Sequence, residues 1–178
     1  ALWYTKEGEI TTEYREEDKV MTGKSFNAPW MGGFGTTLAW KGLSLSAQFS
    51  WMADRWVFNN DRYFEENNGN YSGYNQSKRL LYDRWKQPGD VTDIPRYGVV
   101  AQQDDRFLEN SSFMRLKNLT LSYSFPKALL QKTRFLSAVR IYLQGQNLLT
   151  FTDFTGLDPE YAGNVYLGQY PATRQYTL

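Results

Sequence analysis

The chain has 178 residues, no Cys, no His and a net charge of +1. Disulfide staples, thiolate nucleophiles, Ser-His-Asp triads and the usual zinc ligand sets are therefore excluded, and the charge gives no electrostatic reason for a nucleic-acid partner. Rings supply 17% of the chain, as 13 Tyr, 11 Phe and 6 Trp, which suits a sheet protein, an aromatic-rich binding surface or a barrel with aromatic girdles. No run approaches the roughly 20 apolar residues of a spanning helix, so a helical membrane protein is excluded as well. Ala1 is followed at once by "LWYTKEGE" with no signal-peptide pattern, so the chain reads as mature or as a piece of something longer.

Residues 1–29 are polar and acid-rich, with "REEDK" inside them, and are expected to be loop. "GGFGTTLAW" then puts Phe34, Thr36, Leu38 and Trp40 on one face. Lys41-Gly42 makes a tight turn, and Leu43–Trp51 runs back as the partner strand. In that strand Leu43, Leu45, Ala47, Phe49 and Trp51 alternate with Ser44, Ser46, Gln48 and Ser50. A period of two marks one apolar and one polar face. Alternation alone does not say which face meets water: a soluble sandwich buries the apolar face, whereas a membrane barrel turns it to lipid.

From about residue 52 to 112 the pattern lapses into one long loop. "NNDRYFEENNGNYSGYN" is rich in Asn, Gly and Tyr, "SKRLLYDRWKQPGD" predicts a short helix started near Ser77 and stopped by Pro88-Gly89, and "TDIPRYG" reads as irregular extended chain. A connection of this length is far beyond the few residues that join paired strands, which points to function. Tyr63, Tyr71, Tyr74 and Trp85 are the candidate ligand-binding residues, with Phe64 beside them. Such rings stack on sugar faces or receive the apolar side chains of a peptide; the alternative is that they pack the loop or meet a partner. Glu16-Glu17-Asp18, Glu65-Glu66 and Asp104-Asp105 are carboxylate clusters. Neighbouring residues in extended chain point apart, so these are expected to be solvated loop charge, and no catalytic residue is assigned. "EENNGN" offers hard oxygen ligands and a Gly turn but lacks the spacing of a calcium loop, so no metal site or cofactor is assigned either.

Periodicity returns in "FMRLKNLTLSYSF". Phe113, Leu119, Leu121, Tyr123 and Phe125 share one parity, interrupted near the start by Arg115 and Lys117, while Asn118, Thr120, Ser122 and Ser124 take the other. "PKALLQKTRFLS" is a short connection with one helical turn begun by Pro126. "AVRIYLQGQ" then sets Val139, Ile141 and Leu143 against Arg140, Tyr142, Gln144 and Gln146, and a second loop, "TDFTGLDPEYAGNVYLGQYP", leads to "ATRQYTL". The connections alternate between short and long, and the strands run to about 9 to 13 residues. That is near the length that crosses a bilayer at a tilt and well above the 5 or 6 usual in soluble sheets. The fold expected is all-β, an antiparallel transmembrane β-barrel with a lumen lined by Ser, Thr, Asn and Gln. The alternative is a soluble, aromatic-rich carbohydrate-binding sheet module. A glycoside hydrolase would need two carboxylates at a defined separation, and nothing singles out such a pair.

Four segments together resemble the C-terminal part of the SusC/RagA family of TonB-dependent outer-membrane transporters of Bacteroidetes. They are "MTGKSFNAPWMGGFGTTLAWKGLSLSAQFSW", "DRFLENSSFMRLKNLTLSYSFPKALL", "VRIYLQGQNLLTFTDFTGLDPE" and "YPATRQYTL", and they span most of residues 20–178. The combination is specific, although a piece such as "GQNLLTF" alone would be weak. The resemblance implies a barrel of about 22 strands around a plug, set in the outer-membrane lipid of a Gram-negative bacterium. It also implies a SusD-like surface lipoprotein as a lid, and uptake of oligosaccharides or peptides driven by TonB. Residues 1–178 would then be the C-terminal portion of the barrel domain, without the plug, the TonB-contacting segment or the remaining strands. Family members usually end a few residues later on an aromatic residue, whereas this chain stops at Leu178, which fits a piece of a larger protein.

Overall fold

Long strands form where the sequence alternates. A computed structural model describes residues 2–71, 73–133 and 135–178. Its strands are β1 (Trp3–Tyr4), β2 (Ile10–Thr11), β3 (Trp30–Trp40), β4 (Leu43–Ala53), β5 (Trp56–Asn59), β6 (Leu108–Asn110), β7 (Phe113–Ser124), β8 (Arg140–Phe151), β9 (Val165–Tyr166) and β10 (Gln175–Thr177). Short helices α1 (Asn60–Glu65), α2 (Arg79–Tyr82) and α3 (Lys127–Leu130) lie in the connections. Two compact units result. A strand unit takes Asn27–Arg55, Asn110–Tyr161 and Gln169–Leu178; a loop unit takes Ala1–Phe26, Trp56–Glu109 and Ala162–Gly168.

The strand unit is one antiparallel sheet in the order β10-β8-β7-β4-β3. Lys41 and Gly42 both have positive φ, 46° and 88°, as a tight two-residue hairpin turn needs. Gly42 is also required sterically, because a Cβ there would lie 2.6 Å from the Ser124 carbonyl oxygen. After Pro126 the chain makes the helical turn α3, as its sequence predicts, and continues directly into a 3-10 turn over Gln131–Thr133.

The interruption at Arg115 and Lys117 proves to be a β-bulge. Leu116 pairs with Phe49 and Leu149, Asn118 pairs with Gln48 and Gln146, and Lys117 has no place in either register. Asn147, on the opposite side of the irregularity, takes the left-handed conformation at φ 53°. An extra residue reverses parity along a strand. Met114 and Leu116 therefore share a face with Leu119 and Leu121, while Phe113 belongs with Arg115 on the other, contrary to the uninterrupted parity expected for Phe113.

The loop unit has a core of its own, in which Val57, Ile94, Phe107 and Tyr166 are fully buried. Its three-stranded sheet has the order β6-β5-β9, and β5 and β9 pair in parallel through Phe58 with Val165 and Asn59 with Tyr166. Asn59 caps α1, its side-chain oxygen accepting the Arg62 N–H at 3.1 Å. Helix α2 is one turn only and ends well before Pro88-Gly89. The chain leaves it because the Trp85 N–H goes to the Ile94 carbonyl and the Lys86 and Gln87 N–H groups go to the Asp90 carboxylate. Residues 1–29 are not wholly loop, since β1 and β2 pair antiparallel around a turn at Gly8. Strands of two residues are too short to show a period.

Candidate functional site

The large sheet has two chemically opposite faces. On one, Leu38, Leu45, Leu121 and Leu143 align across four strands, each directly opposite the next. They are 64%, 39%, 42% and 51% exposed, so none of the described residues packs over them as a core. Phe34 stacks on its partner Phe49 with ring centroids 4.9 Å apart on the same face. On the other face the polar side chains bond to one another. Asn118 donates to Gln48 at 3.1 Å and accepts from Gln144 at 3.2 Å, Thr37 donates to Ser46 at 3.1 Å, and Arg140 donates to Ser122 at 2.8 Å. A water-soluble sheet protein would bury such a row of leucines.

At one end of this sheet, two buried arginines grip the segment Asp158–Tyr161. Arg115 donates to Asp158 at 2.6 Å, to Glu160 at 2.8 Å and to Thr150 at 3.0 Å, and the bulged Lys117 reaches Glu160 at 2.7 Å. Arg55 donates to the Pro159 carbonyl at 2.7 Å and also to the Tyr161 carbonyl. Its burial lowers the guanidinium pKa, with Glu160 opposing that shift. For Asp158, burial works to raise the pKa, but Arg115 and the N–H groups of Ala172 and Glu160 outweigh it and hold the carboxyl below its ordinary value of 3.8. A depressed folded pKa contributes stability above the unfolded value that is lost as pH falls through the folded one. The Ala172 and Glu160 amides should therefore be protected at neutral pH, and that protection, taken relative to the intrinsic exchange rate, should be lost only as pH falls below the ordinary carboxylate range. Asp158→Asn should abolish it at neutral pH; unchanged protection in that variant would remove the carboxylate's role. Arg115 was visible in the sequence as a break in alternation, but its partner some forty residues on was not.

In the loop unit only some of the clustered charges are solvated as expected. Glu66 is 1% exposed, with one carboxylate oxygen 2.7 Å from Arg79 and the other 3.2 Å from Arg62. Arg62 also holds Asp93 and Glu109, each at 3.1 Å, and Arg79 holds Asp93 at 2.7 Å. Burial would raise the Asp93 pKa, but Arg79 and Arg62 keep it low. Asp104 goes the other way, raised by its burial. The acidic residue after a helix and the arginine a turn before it face each other on one side of the chain, so burial follows from pairing. Of the clustered acids, Glu16, Glu17, Glu65 and Asp105 are exposed as expected. The "EENNGN" turn is fastened by Asn68, whose amide donates to the carbonyls of Pro95 at 3.3 Å, Val99 at 3.0 Å and also Arg96. Among the described residues no group of three or more His, Cys, Asp or Glu is placed to hold a metal.

The four rings named from sequence differ in packing and exposure. Tyr63 lies in a cluster with Phe58, Phe64 and Phe107 at centroid distances of 6.1, 5.4 and 5.3 Å. Tyr71 packs on Phe64 at 5.0 Å. Trp85 is half-buried, and Tyr74 is 77% exposed. No described helix is long and apolar enough to cross a membrane, which says nothing of crossing by strands.

No family model matches the chain. A TonB-dependent receptor of Formosa agariphila is 38% identical over 120 residues, which are 60% of this chain and 12% of that protein. The TonB-dependent receptor SusC of Bacteroides thetaiotaomicron is 37% identical over 86 residues, 46% of this chain and 8% of that one. A solved structure of the RagAB peptide transporter superposes with a TM-score of 0.92 at 42% identity, covering 98% of this chain and 20% of the solved one. The chain thus spans about a fifth or less of the proteins it matches. Fold and sequence agree with the two-faced sheet, and together they make the chain a stretch of β-barrel from a SusC-like TonB-dependent transporter.

Proposed function

We propose that the protein serves as part of an outer-membrane importer, its leucine-bearing face in lipid and its amide-bearing face toward the lumen. The carrying observation is the row of exposed leucines opposite a hydrogen-bonded polar face. Dimensions support it. Strand β3 has 11 residues with Trp30 and Trp40, both exposed, at its ends. It is roughly 34 Å long and, at a 45° tilt, rises about 24 Å, close to the lipid band of about 25 Å between aromatic girdles. The cargo is an oligopeptide or an oligosaccharide; the similarity to a peptide transporter makes peptide the first to test. A SusD-like lipoprotein, met in part by the loop unit, and the TonB complex, engaged elsewhere on the importer, complete the proposal.

Labelling tests the membrane placement. In the membrane-inserted protein, Leu45→Cys should react with a lipid-dissolved probe and be shielded from a water-soluble one, whereas Ser46→Cys should not meet lipid. A Leu45→Cys site silent to the lipid probe would sink the assignment and favour the soluble carbohydrate-binding module. Among the four rings, Tyr74 is the one we assign to ligand or lipoprotein contact, while Tyr63 and Tyr71 support the loop from within. Tyr74→Ala should lower uptake and leave the loop unit as protease-resistant as before. Normal uptake by that variant would remove Tyr74 from the binding surface.

A further inference from the structure

Beyond Trp51 and Met114 the apolar face does not end flush. A shallow, open groove of about 620 Å³ lies there, lined by Phe34, Trp51, Met114 and Phe151 of the leucine face, with Phe113 of the other face and Asp153 also reaching it. Two features say what fits. Its leucine-face walls are continuous with the leucine row, because Trp51 pairs with Met114 and Met114 with Phe151. Its margin is acidic: the Thr152 hydroxyl is committed to the Ser112 carbonyl at 2.7 Å, while Asp153 is exposed with no cationic partner among the described residues.

An apolar groove on a lipid-facing surface takes a chain of methylenes, each contributing by its removal from water or from poorer packing. A lone carboxylate at the head of that groove favours a positive group and repels a phosphate without one. We propose that the groove holds one acyl chain of a membrane phospholipid whose head carries an ammonium group, with Asp153 as its counter-charge. This rests on the membrane reading above and goes beyond it, since most lipid around a barrel exchanges freely.

The full-length protein, purified in detergent, is offered phosphatidylethanolamine or phosphatidylglycerol and examined by native mass spectrometry. The native protein should retain one phosphatidylethanolamine at collision energies that strip other lipids, and retain phosphatidylglycerol at least about tenfold less. Met114→Trp, which fills the groove with an apolar side chain, should abolish the retained lipid. Asp153→Asn should keep a lipid but lose the preference between heads. Retention unaltered by Met114→Trp, or the same preference with Asp153→Asn, overturns the proposal. A failure of the membrane reading shows separately, as a Leu45→Cys site that the lipid-dissolved probe does not reach.

Discussion

Replacing Arg62 with Ala should loosen the whole loop unit. Arg62 contacts Glu66, Asp93 and Glu109 at once, and the Glu66 and Glu109 side chains are nearly out of water. Removing the partner of a buried charge costs about 3–5 kcal/mol, because the remaining charge stays desolvated. The low end is expected here, since Arg79 still reaches Glu66 and Asp93 is partly exposed. Limited proteolysis of the full-length protein should then cut between residues 60 and 109 in the variant and not in the parent. Glu66→Gln keeps shape and hydrogen-bonding capacity and should be milder. Equal protease resistance of Arg62→Ala and the parent would show that the ring cluster around Phe107 holds the unit unaided.

Leu45→Arg and Ser46→Arg, one residue apart, should differ more than any other neighbouring pair in the sheet. Leu45 sits mid-row between Leu38 and Leu121, whereas Ser46 sits between Thr37 and Thr120. Arg on the lipid face of a barrel costs roughly 2–4 kcal/mol near the midplane. On the polar face the same side chain finds hydroxyls and amides, with Gln144 in the next strand. Refolding into lipid vesicles, followed by the heat-induced shift in electrophoretic mobility, should show impaired folding for Leu45→Arg and near-native folding for Ser46→Arg. Equal impairment would mean that both faces are packed against protein.

How much of this was legible depended on whether the cause was local. The β3–β4 hairpin could be read because alternation and a Lys-Gly turn lie within a few residues of their effects, and β4 runs two residues past the predicted end. The bulge at Lys117 was visible only as a blemish, since a parity change needs the neighbouring strand to define it. Glu66 could not be read as buried, because Arg79 and Arg62 reach it only once α1 and α2 have folded. The same applies to the rings: composition flags Tyr63, Tyr71, Tyr74 and Trp85 alike, and only packing separates Tyr74 from Tyr63. Arg55 and Arg115 were missed as anchors because their partners, Asp158 to Tyr161, lie a hundred and some forty residues away.

The parallel pairing of Asn59 with Tyr166 carries a consequence for the order of events during folding. Closing a loop of about a hundred flexible residues carries an entropic penalty that two strand residues cannot offset on their own. Once β7 and β8 have zipped as neighbours, much of the intervening chain is gathered and that penalty falls. Contacts of such large sequence separation form slowly, so β9 should join β5 late, after the long strands are paired. A nascent chain released from its assembly machinery too early would then expose Phe58, Phe107 and Tyr166 together, and it is in that interval that aggregation should set in.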